Sequence, residues 1–257
     1  VKLDTENNHS IPLNDKETSA FLDALNDFYR QSDFRKFFDQ HSDVYANGIL
    51  SFYNSVVSHI DPSWYSRFYG TQPNKDLHIV IGFASGGNYY RATRTRQGGP
   101  EEIFSIMYYA VDNNGRPLYD KSAVGTITEE LCLSFIDIEN NDVKTTLEKA
   151  CENVHRYTRE KPIAAVTDKS IMEESLAYAS AIYYLIDNGS SKKSIRKAVD
   201  EGIERGFSWT PELIKRIYYY TENRKEFPTF ASFYPEIIEF FKDYTANLGK
   251  TILKVLR

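Results

Sequence analysis

Three positions in the segment 126–135 have the spacing of a catalytic zinc site but lack its ligands. In a His-Glu-x-x-His helix, the two histidines lie four residues apart on one face and bind zinc, while the glutamate activates the metal-bound water. Glu129, Glu130 and Leu133 occupy the corresponding positions here. Because leucine has no lone pair to offer a metal, the segment has the residue spacing of the motif but lacks the ligands needed to bind zinc.

The acidic residues around this segment allow two interpretations. Glu129 and a later residue, Glu174, could supply two carboxylates, and with Glu130 nearby they would gather like charges that raise a carboxyl pKa or weakly attract a hard cation. Cys132 cannot replace Leu133 as a ligand, since one residue is about 100° around a helix. Alternatively, some of these glutamates are ordinary charges on a helix surface.

The elements that must position these residues are mostly helices. Helical spacing predicts an N-terminal layer over 14–70, whose first helix is capped by Asn14 or Asp15. The segment Asp61–Gly70 within it is predicted to be a short capped helix that ends at Gly70. Apolar runs at 77–83, 89–93 and 103–111 predict three strands. Thr126 or Thr128 is expected to cap the motif helix, and further helices are predicted at 143–157, 171–186, 192–205, 211–222 and 235–253.

This pattern predicts an α+β protein, mainly helical, with a small sheet of about three to five strands. No repeat or linker divides the chain, so we expect one continuous domain: a tail at 1–13, the helical layer at 14–70, the sheet with the motif and glutamate helices at 76–190, and C-terminal helices at 191–257. The Gly82–Gly87 stretch lacks the lysine of a phosphate-binding loop.

Composition excludes some partners. The chain has 31 Lys and Arg against 36 Asp and Glu, a net charge of −5, which disfavours nucleic acid and anionic membranes. No apolar stretch is long enough to span a bilayer, and the first residues contain no apolar signal region. The 19 Tyr and 16 Phe are unusually many, and they fill a core or form a stacking surface for sugars or peptides.

The two cysteines, Cys132 and Cys151, do not have the spacing of a metal knuckle. Two buried thiols are the simplest interpretation. A disulfide between neighbouring helices is the alternative if the protein is exported.

Over roughly residues 30–190 the chain resembles the DUF4932 family, proteins of Bacteroides-type bacteria whose typical members carry a gluzincin-like signature. Four features carry the resemblance: the turn Gly86-Gly87-Asn88-Tyr89, the glutamate Glu130, the pair Ser134-Phe135, and the segment Glu174-Ser175-Leu176. The resemblance implies a zincin-like fold, with Glu130 in the place of the general base and Glu174 in the place of the third ligand. Glu129 and Leu133 stand where the family has its two ligand histidines.

From these residues we expect a non-catalytic protein that has lost zinc and binds a peptide, glycan or protein partner in the former substrate cleft. Two alternatives stay open: an active hydrolase with Glu130 as general base and a non-standard metal site, and a structural or surface-assembly protein built on the aromatic C-terminal helices. No cofactor is expected, although zinc is implied for related members. The resemblance also implies a periplasmic, cell-surface or extracellular location.

Overall fold

The computed structural model describes residues 14–83, 89–94, 98–108, 110–111, 113, 117–119, 122–136, 138, 145 and 168–255. The predicted tail and the turn at 86–88 lie outside these residues, and so does the predicted helix at 143–157, which contains Cys151, apart from residue 145. Within them the protein is mainly helical with small β-sheets, which confirms the predicted α+β class. No helix among these residues has the length and apolar character needed to cross a membrane.

The chain divides into two compact units, one formed by residues 1–59 and 78–121 and the other by 60–77 and 122–257. The first unit begins with helices α1 (Asp15–Gln31), α2 (Phe34–Gln40) and α3 (Ser42–Ser55), followed by a short 3₁₀ turn at Val57–His59. The predicted cap is confirmed: the Asn14 side chain accepts hydrogen bonds from the Lys16 and Glu17 backbone amides, and the Glu17 carboxylate accepts one from the Asn14 amide.

The sheet of the first unit has three strands in the order β1-β3-β2, where β1 is Lys75–Ile81, β2 is Tyr90–Arg94 and β3 is Glu101–Met107. It is a mixed sheet in which β2 and β3 are antiparallel, with Arg94 opposite Glu102. A second pairing joins β4 (Ala110–Val111) to β5 (Pro117–Leu118). The single strand predicted at 103–111 is therefore two strands, of which the second belongs to another sheet.

The second unit consists of helices α4 (Pro62–Tyr69), α5 (Ser122–Leu133), α6 (Asp168–Asp187), α7 (Lys192–Glu204), α8 (Thr210–Glu222) and α9 (Tyr234–Val255). As predicted, α4 has Asp61 as its cap and ends at Gly70, whose φ of 70° suits glycine. The motif helix α5 begins at Ser122, earlier than the predicted caps. Thr128 is buried in the middle of α5, where its hydroxyl cannot act as a cap.

Aromatic side chains fill the core of the second unit. Trp64, Phe68 and Tyr69 on α4 are buried and pack against aromatic residues of α6, α8 and the segment that follows α8. The Trp64 indole N–H donates a hydrogen bond to Asp187 at 2.8 Å, and the Tyr220 hydroxyl donates one to the Phe68 carbonyl at 2.6 Å. The packing of α4 and α8 around α6 fixes the helix that carries Glu174.

Candidate functional site

The site residues proposed from the sequence lie on two helices that pack against each other. Glu129, Glu130 and Leu133 are on α5, and Glu174 is on α6, which is the helix that α5 contacts most extensively among the described residues. All three α5 positions are buried, with Glu130 only 1% exposed and Glu129 8% exposed. The glutamates on α5 are therefore not the solvated surface charges of the simpler interpretation.

The carboxylate of Glu129 is bound by an arginine from the same unit. Arg205, the residue that caps the C-terminus of α7, donates two hydrogen bonds to the two carboxylate oxygens, at 2.7 Å and 2.9 Å. Such a bidentate interaction between a guanidinium and a carboxylate is stronger and more directional than an ion pair with a single hydrogen bond. Where the resemblance implies the first histidine, the chain thus has a carboxylate that an arginine of the same chain already neutralises.

Aromatic rings hold the guanidinium of Arg205 in place. Its central carbon lies 4.4 Å from the ring centroid of Tyr178 and 5.2 Å from that of Phe207. Burial alone would lower the pKa of Arg205. The hydrogen bonds to Glu129 and the negative charge of Glu129 raise this pKa by more than burial lowers it, so the net shift is upward. The arginine is permanently charged, and its stacking on the two rings limits its freedom to leave Glu129.

The carboxylate of Glu174 interacts electrostatically with the same guanidinium. Its negative charge is one of the influences that raise the pKa of Arg205, after those of Glu129 and Tyr178. The adjacent Glu173 has a different role, since it pairs with Lys75 at 3.5 Å in a largely buried ion pair. The structure therefore brings Glu129 and Glu174 within electrostatic range of one positive charge, as a metal site would, but the charge belongs to Arg205.

Leu133, which stands where the resemblance implies a second histidine, is part of the core. Leu133 is 7% exposed and its neighbour Cys132 is fully buried as a free thiol. Burial is the main cause that raises the pKa of the Cys132 thiol, so it stays protonated at neutral pH. Leu133 has no lone pair to offer a metal, and Cys132 has a protonated thiol in place of the thiolate that binds metals.

Zinc does not fit this donor set. A catalytic zinc takes three protein ligands, mostly histidine nitrogen with one carboxylate, and leaves a position for water. At the positions where the resemblance implies ligands, Leu133 has no donor atom and Glu129 already binds Arg205 through both oxygens. Within the described ranges no group of three or more His, Cys, Asp or Glu side chains is placed to hold a metal ion.

Arg205 was not singled out from the sequence, because its partner Glu129 lies far away along the chain. One local signal pointed to it: a basic residue at the end of a helix, followed by Gly206, is favoured by the helix dipole. That signal explains its position and not its role. Only the packing of α7 against α6 turns Arg205 toward Glu129.

A second polar cluster, also missed from the sequence, crosses the sheet of the first unit. Glu102 on β3 is buried, and its carboxylate contacts His78 of β1 at 3.1 Å and the guanidinium of Arg94 of β2. The His78 ring stacks on Phe104 with centroids 4.7 Å apart, and Arg94 lies over the same ring. The cluster ties the three strands together around one buried carboxylate.

Residues 2–240 match the family described as Domain of unknown function (DUF4932), and the chain belongs to that family. The match covers both the motif helix α5 and the glutamate helix α6. No curated protein and no solved structure matches the chain.

Proposed function

We propose that this protein is a metallopeptidase-like protein with a zincin-like arrangement of α5 and α6, that it has lost zinc binding and catalysis, and that it acts as a non-catalytic binding protein. Its ligand would be a peptide, a glycan or another protein. The resemblance that motivates the zincin-like fold also implies a location outside the cytoplasm, which fractionation of the native cells would test.

The observation that carries the proposal is the ion pair between Glu129 and Arg205. A site that exchanges metal needs a ligand free to bind it, whereas both Glu129 oxygens accept hydrogen bonds from the guanidinium. Removing Arg205 alone would not restore a metal site, because Leu133 still supplies no donor. Two independent changes therefore separate this chain from a zinc site, which favours a role that does not depend on the metal.

The burial of Glu130 supports the same conclusion. A general base must reach a water molecule within hydrogen-bond distance of the substrate. The Glu130 side chain is almost completely inaccessible, with 1% of the residue exposed. A protein in which this helix stays packed but lacks metal ligands is suited to binding a partner and not to catalysing a reaction.

Zinc analysis of the purified protein tests the proposal. After expression with added zinc and dialysis, we expect well below one zinc per chain and no cleavage of casein. One tightly held zinc per chain, lost in Glu174→Gln, would overturn the loss of metal. Casein cleavage that disappears in a folded Glu130→Gln variant would instead establish the active hydrolase.

A further inference from the structure

On α1 and α2, none of the side chains that the structure describes is buried. Large apolar residues on them are widely exposed, including Phe21 at 58%, Phe28 at 55% and Phe37 at 47%. Monomeric proteins rarely leave a continuous apolar surface of this kind open to water. The residues that form it, here called the aromatic face, are Phe21, Leu25, Phe28, Tyr29, Phe34, Phe37 and Phe38.

On α1 the aromatic face is a stripe. Phe21, Leu25, Phe28 and Tyr29 recur at the three- and four-residue spacing that places side chains on one side of a helix. The opposite side carries polar residues such as Asp23 and Arg30. A stripe with this spacing is the pattern by which one helix packs along another helix.

The aromatic face continues without a break from α1 to α2. Phe34, at the start of α2, lies 5.9 Å from Phe28 and 6.0 Å from Tyr29, measured between ring centroids. Phe34 is also 6.0 Å from Phe37. Phe38 stacks on Tyr45 of α3 at 4.5 Å. The rings therefore form one surface, and a partner that covers α1 also reaches α2.

Charge argues against a membrane as the partner of the aromatic face. The segment 14–43 contains seven Asp and Glu residues and four Lys and Arg residues. This acidic balance disfavours the anionic lipids that attract basic amphipathic helices. Two of the basic residues are also occupied, since Arg30 pairs with Asp27 and Arg35 with Asp39, both at 3.0 Å. The two ion pairs leave a net acidic segment with few basic side chains free to contact anionic lipid.

We propose that the aromatic face binds the same face of a second copy of this chain, forming a two-fold symmetric dimer. An isologous interface needs a surface that is complementary to itself, and an uncharged apolar stripe meets that condition where a charged patch would repel its copy. A half-exposed aromatic side chain has about 100 Å² of accessible surface that an interface could bury. The six most exposed members therefore supply roughly 600 Å², most of the ~800 Å² per partner in a stable dimer.

Sedimentation velocity of the purified chain over a wide range of concentrations tests this proposal. We expect the wild-type protein to sediment as a dimer, with twice the mass of one chain. The double variant Phe21→Asp and Phe28→Asp should sediment as a monomer with an unchanged circular dichroism spectrum. Ala20→Asp is the matched control, because it places the same charge one residue away on the polar side of α1, and it should still dimerise. A wild-type monomer at every concentration, or a dimer that survives the double change, would overturn the proposal.

Disulfide trapping provides a second measurement that does not depend on disrupting the fold. Leu25 lies in the middle of the stripe, so in Leu25→Cys the two introduced thiols meet near the symmetry axis and oxidation gives a covalent dimer. Ala20→Cys should not cross-link. Equal cross-linking of both variants would contradict the proposed face. Binding of wild type to vesicles of phosphatidylcholine and phosphatidylglycerol, without dimerisation, would assign the face to a membrane and would also overturn it.

Discussion

Gly202 on α7 and Tyr178 on α6 pack so closely that a Cβ atom at position 202 would lie 2.6 Å from Cε1 of Tyr178. The Tyr178 hydroxyl donates a hydrogen bond to the Ala198 carbonyl of α7 at 2.7 Å, which fixes the ring against this helix. The guanidinium of Arg205 lies over the same ring of Tyr178. The absence of a side chain at 202 thus allows the two helices to approach and places Arg205 over Tyr178 and beside Glu129.

Gly202→Ala should therefore destabilise the protein by about 1–2 kcal/mol, although alanine is normally about 1 kcal/mol better than glycine inside a helix. Gly125→Ala on α5 is the control, because a Cβ atom there meets nothing within 4 Å. It should stabilise the protein by about 0.5–1 kcal/mol. Urea unfolding of the two variants measures both effects, and equal shifts of the same sign would contradict the close contact.

Arg205→Ala leaves the buried Glu129 carboxylate without its bidentate partner. We expect a loss of about 2–3 kcal/mol in the free energy of unfolding, below the full cost of a deeply buried pair because Arg205 is about a third exposed. Combining Glu129→Leu with Arg205→Met removes both charges and should recover most of the loss. If the double variant is as unstable as the single one, packing and not the ion pair holds α7 in place.

The sequence predicted the elements far better than the contacts between them. Local chemistry was enough for the Asn14 cap, for α4 between Asp61 and Gly70, and for the order of helices and strands. It could not give the start of α5, where burial of Thr128 overrides its preference for a cap. It also could not give the partner of Glu129, since long-range pairing depends on how α5, α6 and α7 pack and leaves no local pattern. The sequence placed Glu129 and Glu174 on two helices, but it gave no sign that Arg205 binds the Glu129 carboxylate.

Arg94 and Glu102 should respond unequally to substitution. Arg94→Met leaves a buried carboxylate that has lost its guanidinium, and we expect a loss of about 1–2 kcal/mol. Glu102→Leu leaves His78 and Arg94, which are nearly half exposed and can bind water, so its cost should be smaller. Chemical denaturation of both variants measures the difference. A greater loss for Glu102→Leu would show that the carboxylate has a larger role in the sheet than the pairing described here.

Stability should fall in alkaline solution. Burial raises the pKa of Tyr178 and of Tyr220 from 10.0 to about 12, despite the opposing charges of Arg205 and Arg224, and burial also raises the pKa of Cys132 above its ordinary 9.0. The unfolded chain therefore loses these protons at a lower pH than the folded chain. Since the folded state binds more protons in this range, the free energy of unfolding decreases as pH rises from about 9 to 12. Urea unfolding at a series of pH values checks the sign, and a flat profile would contradict it.

Restoring the histidines should recreate a metal site if α5 and α6 have the zincin-like arrangement. In the triple variant Glu129→His, Leu133→His and Arg205→Ala, two imidazoles lie four residues apart on α5 and the competing guanidinium is gone. Glu174 on the neighbouring helix then supplies the third ligand. We expect one zinc per chain by elemental analysis and a rise in the melting temperature on adding zinc, since binding to the folded state stabilises it.

Adding Glu174→Gln to the triple variant is the matched control. It keeps the side-chain size and removes the charge, so zinc affinity should fall by about 10- to 100-fold or more, as expected when a ligand or its close support is altered. If the triple variant folds but takes no zinc, α5 and α6 do not have the geometry of a metal site, and the proposed descent from a metallopeptidase loses its structural basis. If zinc binds equally well with Gln at 174, the third ligand lies elsewhere and the role assigned to Glu174 is wrong.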